Sequence, residues 1–220
     1  MNGLSRATFV CLISLGLSAG CSTLQLQDPA RTGPFFTPAA YQSAPSIPTE
    51  IRRVLVLPVA SDVPMTDDQL VKLDEIVRTT LGQTSKFEIT PLTRAECARI
   101  AGKQAVHSTD ALPHDFLGRL AASHAVDAVI FTDITSYSPY PPMRIGLRIK
   151  LARTVDNSLL WAFDTVFSAT EKRVVNSARR YWIDTAPANT PADYSNTVLE
   201  NPSRFATYAT SAAFSTLPGR

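Results

Sequence analysis

Glycine, cysteine and histidine are scarce in this chain: nine, three and three among 220 residues. With so few glycines the phosphate-cradling and nucleophile-elbow patterns G-x-x-x-x-G-K-[ST], G-x-G-x-x-G and G-x-S-x-G are all missing. His107, His114 and His124 lack the helical spacing of metal ligands. A site joining them to Asp110 or Asp115 is the metal arrangement left open. The acidic residues are scattered, and no pair stands out as general acid and base. An excess of charge of one sign is missing too. Twenty-one Lys and Arg against 19 Asp and Glu leave a net charge of +2, which gives no electrostatic footprint for nucleic acid. The residues therefore lead us to expect no catalytic residues, no cofactor, no metal and no nucleic-acid partner: a protein that is not an enzyme.

What is present at the N-terminus is informative. Arg6 precedes an apolar run from Ala7 to Leu17, about eleven residues long. That is the length of a signal-peptide core and well short of the ~20 residues needed to span a bilayer. Ser18, Ala19 and Gly20 are small, and Cys21 follows them. Small residues before Cys resemble the bacterial lipobox, in which the thiol is acylated and becomes the first residue of the mature chain. Ser18 stands where the family usually has Leu, with Leu17 one step further out. The other readings are a plain secretory signal or an uncleaved anchor. We expect a signal peptide over residues 1–20, palmitate and related acyl chains on Cys21, and membrane attachment through them. Ser22 carries no charge, and by the same resemblance it favours the outer membrane, with the protein facing the periplasm. Cys11 leaves with the signal and Cys97 is alone, so no internal disulfide is available to the mature chain.

Residues 21–50 are rich in Pro, Thr, Ser and Ala without an apolar period, and read as a semi-extended, lipidated tether. Phe35, Phe36 and Tyr41 within it read as docking on the domain or as a contact site for something else. Residues 51–220 read as a single α/β domain with C-terminal helices. "RRVLVLPV" is a continuous apolar run suited to a strand buried on both faces. Thr66 with Gln69, and Thr93 with Glu96, match capping boxes. Leu70, Leu73, Val77 and Leu81 share a helical face that Gly82 ends. Pro113 fits the first position of a third helix that buries Phe116, Leu117, Leu120 and Ala121. "KFEITPL" and "DAVIFTDITSY" are further strands.

The segment after these alternates most clearly. Ile145, Leu147, Ile149 and Leu151 interleave with Arg144, Gly146, Arg148 and Lys150, and Leu159, Trp161, Phe163 and Phe167 share a face. A two-residue turn would mix the faces. A three-residue turn, Asp156 to Ser158, aligns Leu151 with Phe163, Leu147 with Phe167 and Lys150 with Asp164, so that turn is expected. The fold class is thus α/β: a mixed sheet of about five strands with a long C-terminal antiparallel hairpin and helices packed on the sheet. "SPYPPMR" before the hairpin is either a rigid connection or a binding lip. On the second reading Tyr137, Tyr140, Arg144 and Arg148 are the partner-contact residues.

The lipobox Cys, the Pro-rich segment, "RRVLVLPV", "AVDAVIFTDITSYSPYPPMRIGLRIKL" and "LLWAFDTVFSA" together resemble a group of bacterial envelope lipoproteins. It comprises the periplasmic domain of the curli secretion lipoprotein, the N-terminal domain of the Tol-Pal translocation protein and the outer-membrane activators of penicillin-binding proteins. The similarity covers roughly residues 52–170 and carries no catalytic motif. The Pro-rich loop and the C-terminal helices depart from the group, and strands of the secretion-pore type are not evident. The resemblance implies a non-enzymatic outer-membrane lipoprotein that binds, and regulates or scaffolds, another cell-envelope protein. The alternative is a subunit of an envelope export or assembly complex.

Overall fold

The structure, a computed structural model, describes residues 28–187 and 190–220. Cys21 and the expected signal peptide lie outside the described residues. Seven strands form one mixed, open sheet: β1 (Tyr41–Gln42), β2 (Arg53–Val56), β3 (Ala60–Ser61), β4 (Glu88–Pro91), β5 (Ala128–Ser138), β6 (Arg144–Arg153) and β7 (Leu159–Ser168), in the order β1-β7-β6-β5-β2-β4, with β3 against the far end of β5. β2, β3 and β4 enter through parallel pairings, and β5, β6, β7 and β1 run antiparallel to one another. The α/β class and the long hairpin expected from the sequence are what the chain forms. The two-residue strands β1 and β3 are additions that no periodicity could announce.

The helices are α1 (Pro29–Thr32), α2 (Asp67–Gln83), α3 (Arg94–Ala101), α4 (Phe116–His124), α5 (Lys172–Thr185) and α6 (Pro202–Phe214), with a 3-10 segment at Ala192–Leu199. Local chemistry places most of their ends. Thr66 accepts from the Gln69 N–H while the Gln69 side chain accepts from the Thr66 N–H, and Thr93 and Glu96 repeat the exchange. Gly102 closes α3 with φ 74°, the left-handed cap that favours glycine. Asn201 accepts from the Arg204 N–H ahead of Pro202. Two expectations move. Gly82 lies inside α2, which runs on to Gln83. Pro113 is not the first residue of α4: its carbonyl accepts from the Phe116 N–H in a preceding turn, and the helix starts at Phe116.

Two layers of helix cover the sheet unequally. Val54, Val56, Ile130, Leu147, Ile149, Trp161, Phe163 and Phe167 meet α2, α5 and α6 in the larger core. Leu55, Leu57, Val129 and Phe131 point the other way and meet Leu92, Cys97, Phe116, Leu117 and Leu120 under α3 and α4. β2 is therefore buried on both faces, which is why its sequence is an unbroken apolar run. Cys97 is buried there, and burial pushes its thiol up.

The hairpin register differs from the expected one by two residues. Leu151 pairs with Trp161, Ile149 with Phe163, Ile145 with Phe167, and it is Arg148 that faces Asp164. Arg153 N–H donates to the Ser158 carbonyl across the loop 154–157, in which Asn157 adopts φ 59°. A four-residue loop alone would set β7 one residue out of phase and turn its apolar face to solvent. A bulge between Leu151 and Ala152, where β7 carries Leu160 as an extra residue, restores the phase. Leu160 is buried as a result, while Leu159, expected on the apolar face, is 36% exposed.

A second bulge lies where β5 carries Thr135 as an extra residue between Ile134 and Ser136, opposite Gly146. A Cβ at Gly146 would run into Thr135 Oγ1 and come within 3.0 Å of the Ser136 nitrogen. The glycine in an otherwise alternating strand is the space into which the bulge fits.

From Asp28 onward the segment expected as tether lies along the domain. Asp28 caps α1 and pairs with Arg179 at 3.0 Å. The Phe36 ring meets Phe167 edge-on at 5.4 Å, and its N–H donates to Ser177. Tyr41 and Gln42 form β1 against β7, and Ile47 is buried. Phe36 is docked, whereas Phe35 and Tyr41 remain exposed.

Gly146→Val should lower the unfolding free energy by about 1–3 kcal/mol through overpacking, read as a lower urea midpoint at unchanged m. Tyr208 offers a second check. Burial against Phe167, Tyr181 and Phe205 pushes its phenol up to about 12. Raised above the unfolded value of about 10, it contributes stability that is full below that value and lost as pH rises through about 12. Ultraviolet titration should show this tyrosine ionising after the exposed ones, and Tyr208→Phe should remove that late step.

Candidate partner-binding face

The helices α3 and α4 cover the β4-β2-β5 half of one sheet face and stop there. Beyond them, on the same face, β6 and β7 present Arg148, Lys150 and Ala152, and Ala162, Asp164 and Val166. The loop joining α3 to α4 forms a wall along this bare half. Between the wall and the strands runs an open groove of ≈ 700 Å³, lined by Ser108, Leu112, Pro113, Phe116, Phe131, Lys150, Leu159 and neighbours. A second hollow of ≈ 520 Å³ is lined by Tyr41, Arg148, Lys150, Ala162, Phe163 and Asp164. Lys150 belongs to both. Leu112 and Leu159 are exposed apolar side chains on the rim.

The wall is pinned by a charged network. Asp133 is fully buried in β5, next to the end of the groove. Its carboxylate accepts from the Ser108 N–H at 3.0 Å and from the Ser108 hydroxyl at 2.6 Å. Arg148 lies opposite it in the β5–β6 register. The guanidinium donates to Asp164 at 2.9 Å and has a nitrogen 3.5 Å from Asp62 and 3.9 Å from Asp133. The Asp164 hydrogen bond, with these carboxylates around it, raises the Arg148 pKa. His107 Nδ1 stands 3.2 Å from Asp62 and 3.9 Å from Asp133, off the direction of a hydrogen bond to either. Lys150 donates to the Ser108 carbonyl at 2.8 Å and forms no ion pair among the described residues. Lys103 and Asp110 tie the loop to itself at 2.9 Å.

This arrangement can hold a loop in place and present a shaped, partly apolar trough in which Lys150 bonds a carbonyl and meets no carboxylate among the described residues. Among the described residues no group of three or more His, Cys, Asp or Glu side chains is placed to hold a metal ion, and no helix is long and apolar enough to cross a membrane.

The four residues singled out as partner contacts do not converge. Tyr137 turns onto the helix-covered face and packs against the larger core, and burial pushes its phenol up. Tyr140 is 78% exposed at the tip of the β5–β6 loop, where the Pro141–Pro142 bond is cis. Arg144 is exposed at the start of β6, paired in register with Ser138 and Ser168. Arg148 sits on the opposite face from Tyr137, surrounded by carboxylates. The basic stripe of β6 was legible as a pattern, but its meaning was not: among the described residues Arg148 pairs with carboxylates, whereas Lys150 bonds a backbone carbonyl. Asp62, Ser108 and Asp133 escaped the sequence reading. The signal that could have found Asp133 is a carboxylate inside the apolar run "AVIFTDI", where an ionised group persists only with partners.

No protein-family model matches the sequence, and no curated protein matches it at a significant level. Among solved structures the fold is similar to PelC, a dodecamer from Paraburkholderia phytofirmans, at 11% identity and a TM-score of 0.49, covering 83% of this chain and 96% of that one. It is similar to the lipoprotein GNA1162 from Neisseria meningitidis, at 15% identity and a TM-score of 0.41, over 55% and 85%. It is also similar to the LpoB C-terminal domain from Escherichia coli, at 13% identity and a TM-score of 0.35, over 53% and 82%.

Asp133→Ala should cost about 2–4 kcal/mol of stability, because it leaves the Ser108 donors unpaired and weakens the hold on the wall. Asp164→Asn, which breaks an exposed pair, should cost less than about 1 kcal/mol. Chemical denaturation of the two variants side by side measures the difference.

Proposed function

We propose that this chain is a non-enzymatic lipoprotein of the outer membrane, held by acyl chains on Cys21, and that its domain binds and regulates or scaffolds another cell-envelope protein. The observation that carries the reading is the join of two features. A thiol follows a signal-like apolar run and small residues, and the folded domain leaves half of one sheet face bare and hollowed. A surface-bound globule with a shaped trough suits recognition of a neighbour. More than one acyl chain would make the attachment stable, since each buried methylene contributes about 0.8 kcal/mol.

The boundaries that go with this reading are a signal peptide over 1–20 and a mature chain from Cys21. The anchored segment would be short, because the chain from Asp28 onward already lies on the domain.

Mass spectrometry of the N-terminus from the membrane fraction should find a chain that starts at acylated Cys21. Cys21→Ala should leave the precursor unprocessed and without acyl chains. A native N-terminus elsewhere, or a bare thiol at Cys21, would overturn the anchoring. Cross-linking in intact cells followed by affinity purification should recover an envelope protein in place of a ring of identical copies. A ring-sized oligomer in mild detergent would favour the assembly-complex reading instead.

A further inference from the structure

The bare half of the sheet carries more chemical information than its shape alone. Cations on an exposed strand face are ordinarily either solvated or paired. Here the two on β6 differ. Arg148 is committed to Asp164, with Asp62 and Asp133 close by. Lys150, two residues on, has among the described residues only a carbonyl as partner and lines both hollows. The groove beside it is mixed: Phe116 and Phe131 form the buried side, Leu112 and Leu159 the exposed rim, and Ser108, His114 and Asn157 add polar groups. Asp115, the carboxylate among the lining residues, leans over Gly118 at the start of α4.

We infer that the trough takes an extended, acidic segment of a partner protein, with an Asp or Glu carboxylate on Lys150 and an adjacent large apolar side chain between Leu112, Leu159 and Phe131. The inference rests on the partner-binding reading above and names the chemistry of the partner. Charge complementarity selects the carboxylate, since an ammonium that among the described residues meets a backbone carbonyl but no carboxylate gains from an anion that also excludes water. The open form selects a chain segment over a small amphiphile. The two hollows share Lys150 and have lining residues from Leu112 to Tyr41, and both are open to solvent, so they would leave an acyl tail largely in water while accommodating a peptide backbone.

The test uses the full lipidated chain in its own cells, with a benzophenone side chain at position 112, 159 or 140 and the cross-linked peptide mapped by mass spectrometry. Adducts from 112 and 159 should contain an Asp or Glu within two residues of a Leu, Ile, Met or Phe. Lys150→Glu should cut their yield at least fivefold while circular dichroism stays unchanged, Lys150→Arg should keep it, and Glu→Lys in the mapped partner segment should restore it to Lys150→Glu. A mapped peptide without acid, an adduct with lipid or with a second copy, or a yield indifferent to Lys150→Glu overturns the inference. Adducts from position 140 alone overturn it too but leave partner binding intact, whereas no protein adduct from any position overturns both.

Discussion

A strand that buries one face has a phase, and the phase cannot drift. Side chains alternate, so any odd insertion between two paired strands turns an apolar face to water along the whole remaining length. In this fold the β5–β6–β7 unit supplies the floor of the larger core, with Ile145, Leu147, Ile149 and Leu151 beside Trp161, Phe163 and Phe167. The four-residue loop between β6 and β7 would break that phase, and the bulge at Leu160 repairs it. The bulge at Thr135 shifts the outer end of β5, and Gly146 gives it room. α2, α5 and α6 pack on a surface that these local corrections keep apolar, and the opposite face becomes the place where Asp133, Arg148 and Lys150 must point.

The other face then faces a different problem. A carboxylate at Asp133 with no exposure has to be neutralised where it stands, because desolvating an isolated charge costs more than most packing can offset. Ser108 answers with two hydrogen bonds from a loop 25 residues away in sequence, and Arg148 approaches from the neighbouring strand. Satisfying that one anion fixes the loop that becomes the groove wall. The rigidity of the trough is in this sense a by-product of electrostatics in the sheet.

How much of this could be read in advance follows from the range of each interaction. Helix starts at Thr66 and Thr93 were legible because a cap is made within three residues. β2 and the β6–β7 hairpin were legible because alternation or its absence reports burial directly. The register was not. Turn counting sees loop length but not a bulge, and both Leu159 and Leu160 are leucines, so nothing in composition says which one faces the core. The groove was less legible still: Ser108, Phe131, Lys150 and Leu159 come from four separate stretches, and only the topology brings them side by side. Tyr137 and Arg148 illustrate the converse. Eleven positions apart across a hairpin, they read as one contact patch in sequence and are divided by the thickness of the sheet.

The docked segment at residues 28–47 sets a leash. With Asp28 pinned to Arg179 and Phe36 to Phe167, the anchor proposed at Cys21 would be separated from the globule by only the seven backbone steps from 21 to 28, each of at most ~3.3–3.6 Å. Fully stretched, that is about 25 Å, less than the diameter of a small domain. A protein held so closely would hover over its own leaflet, and whatever it meets would have to come to the bilayer surface.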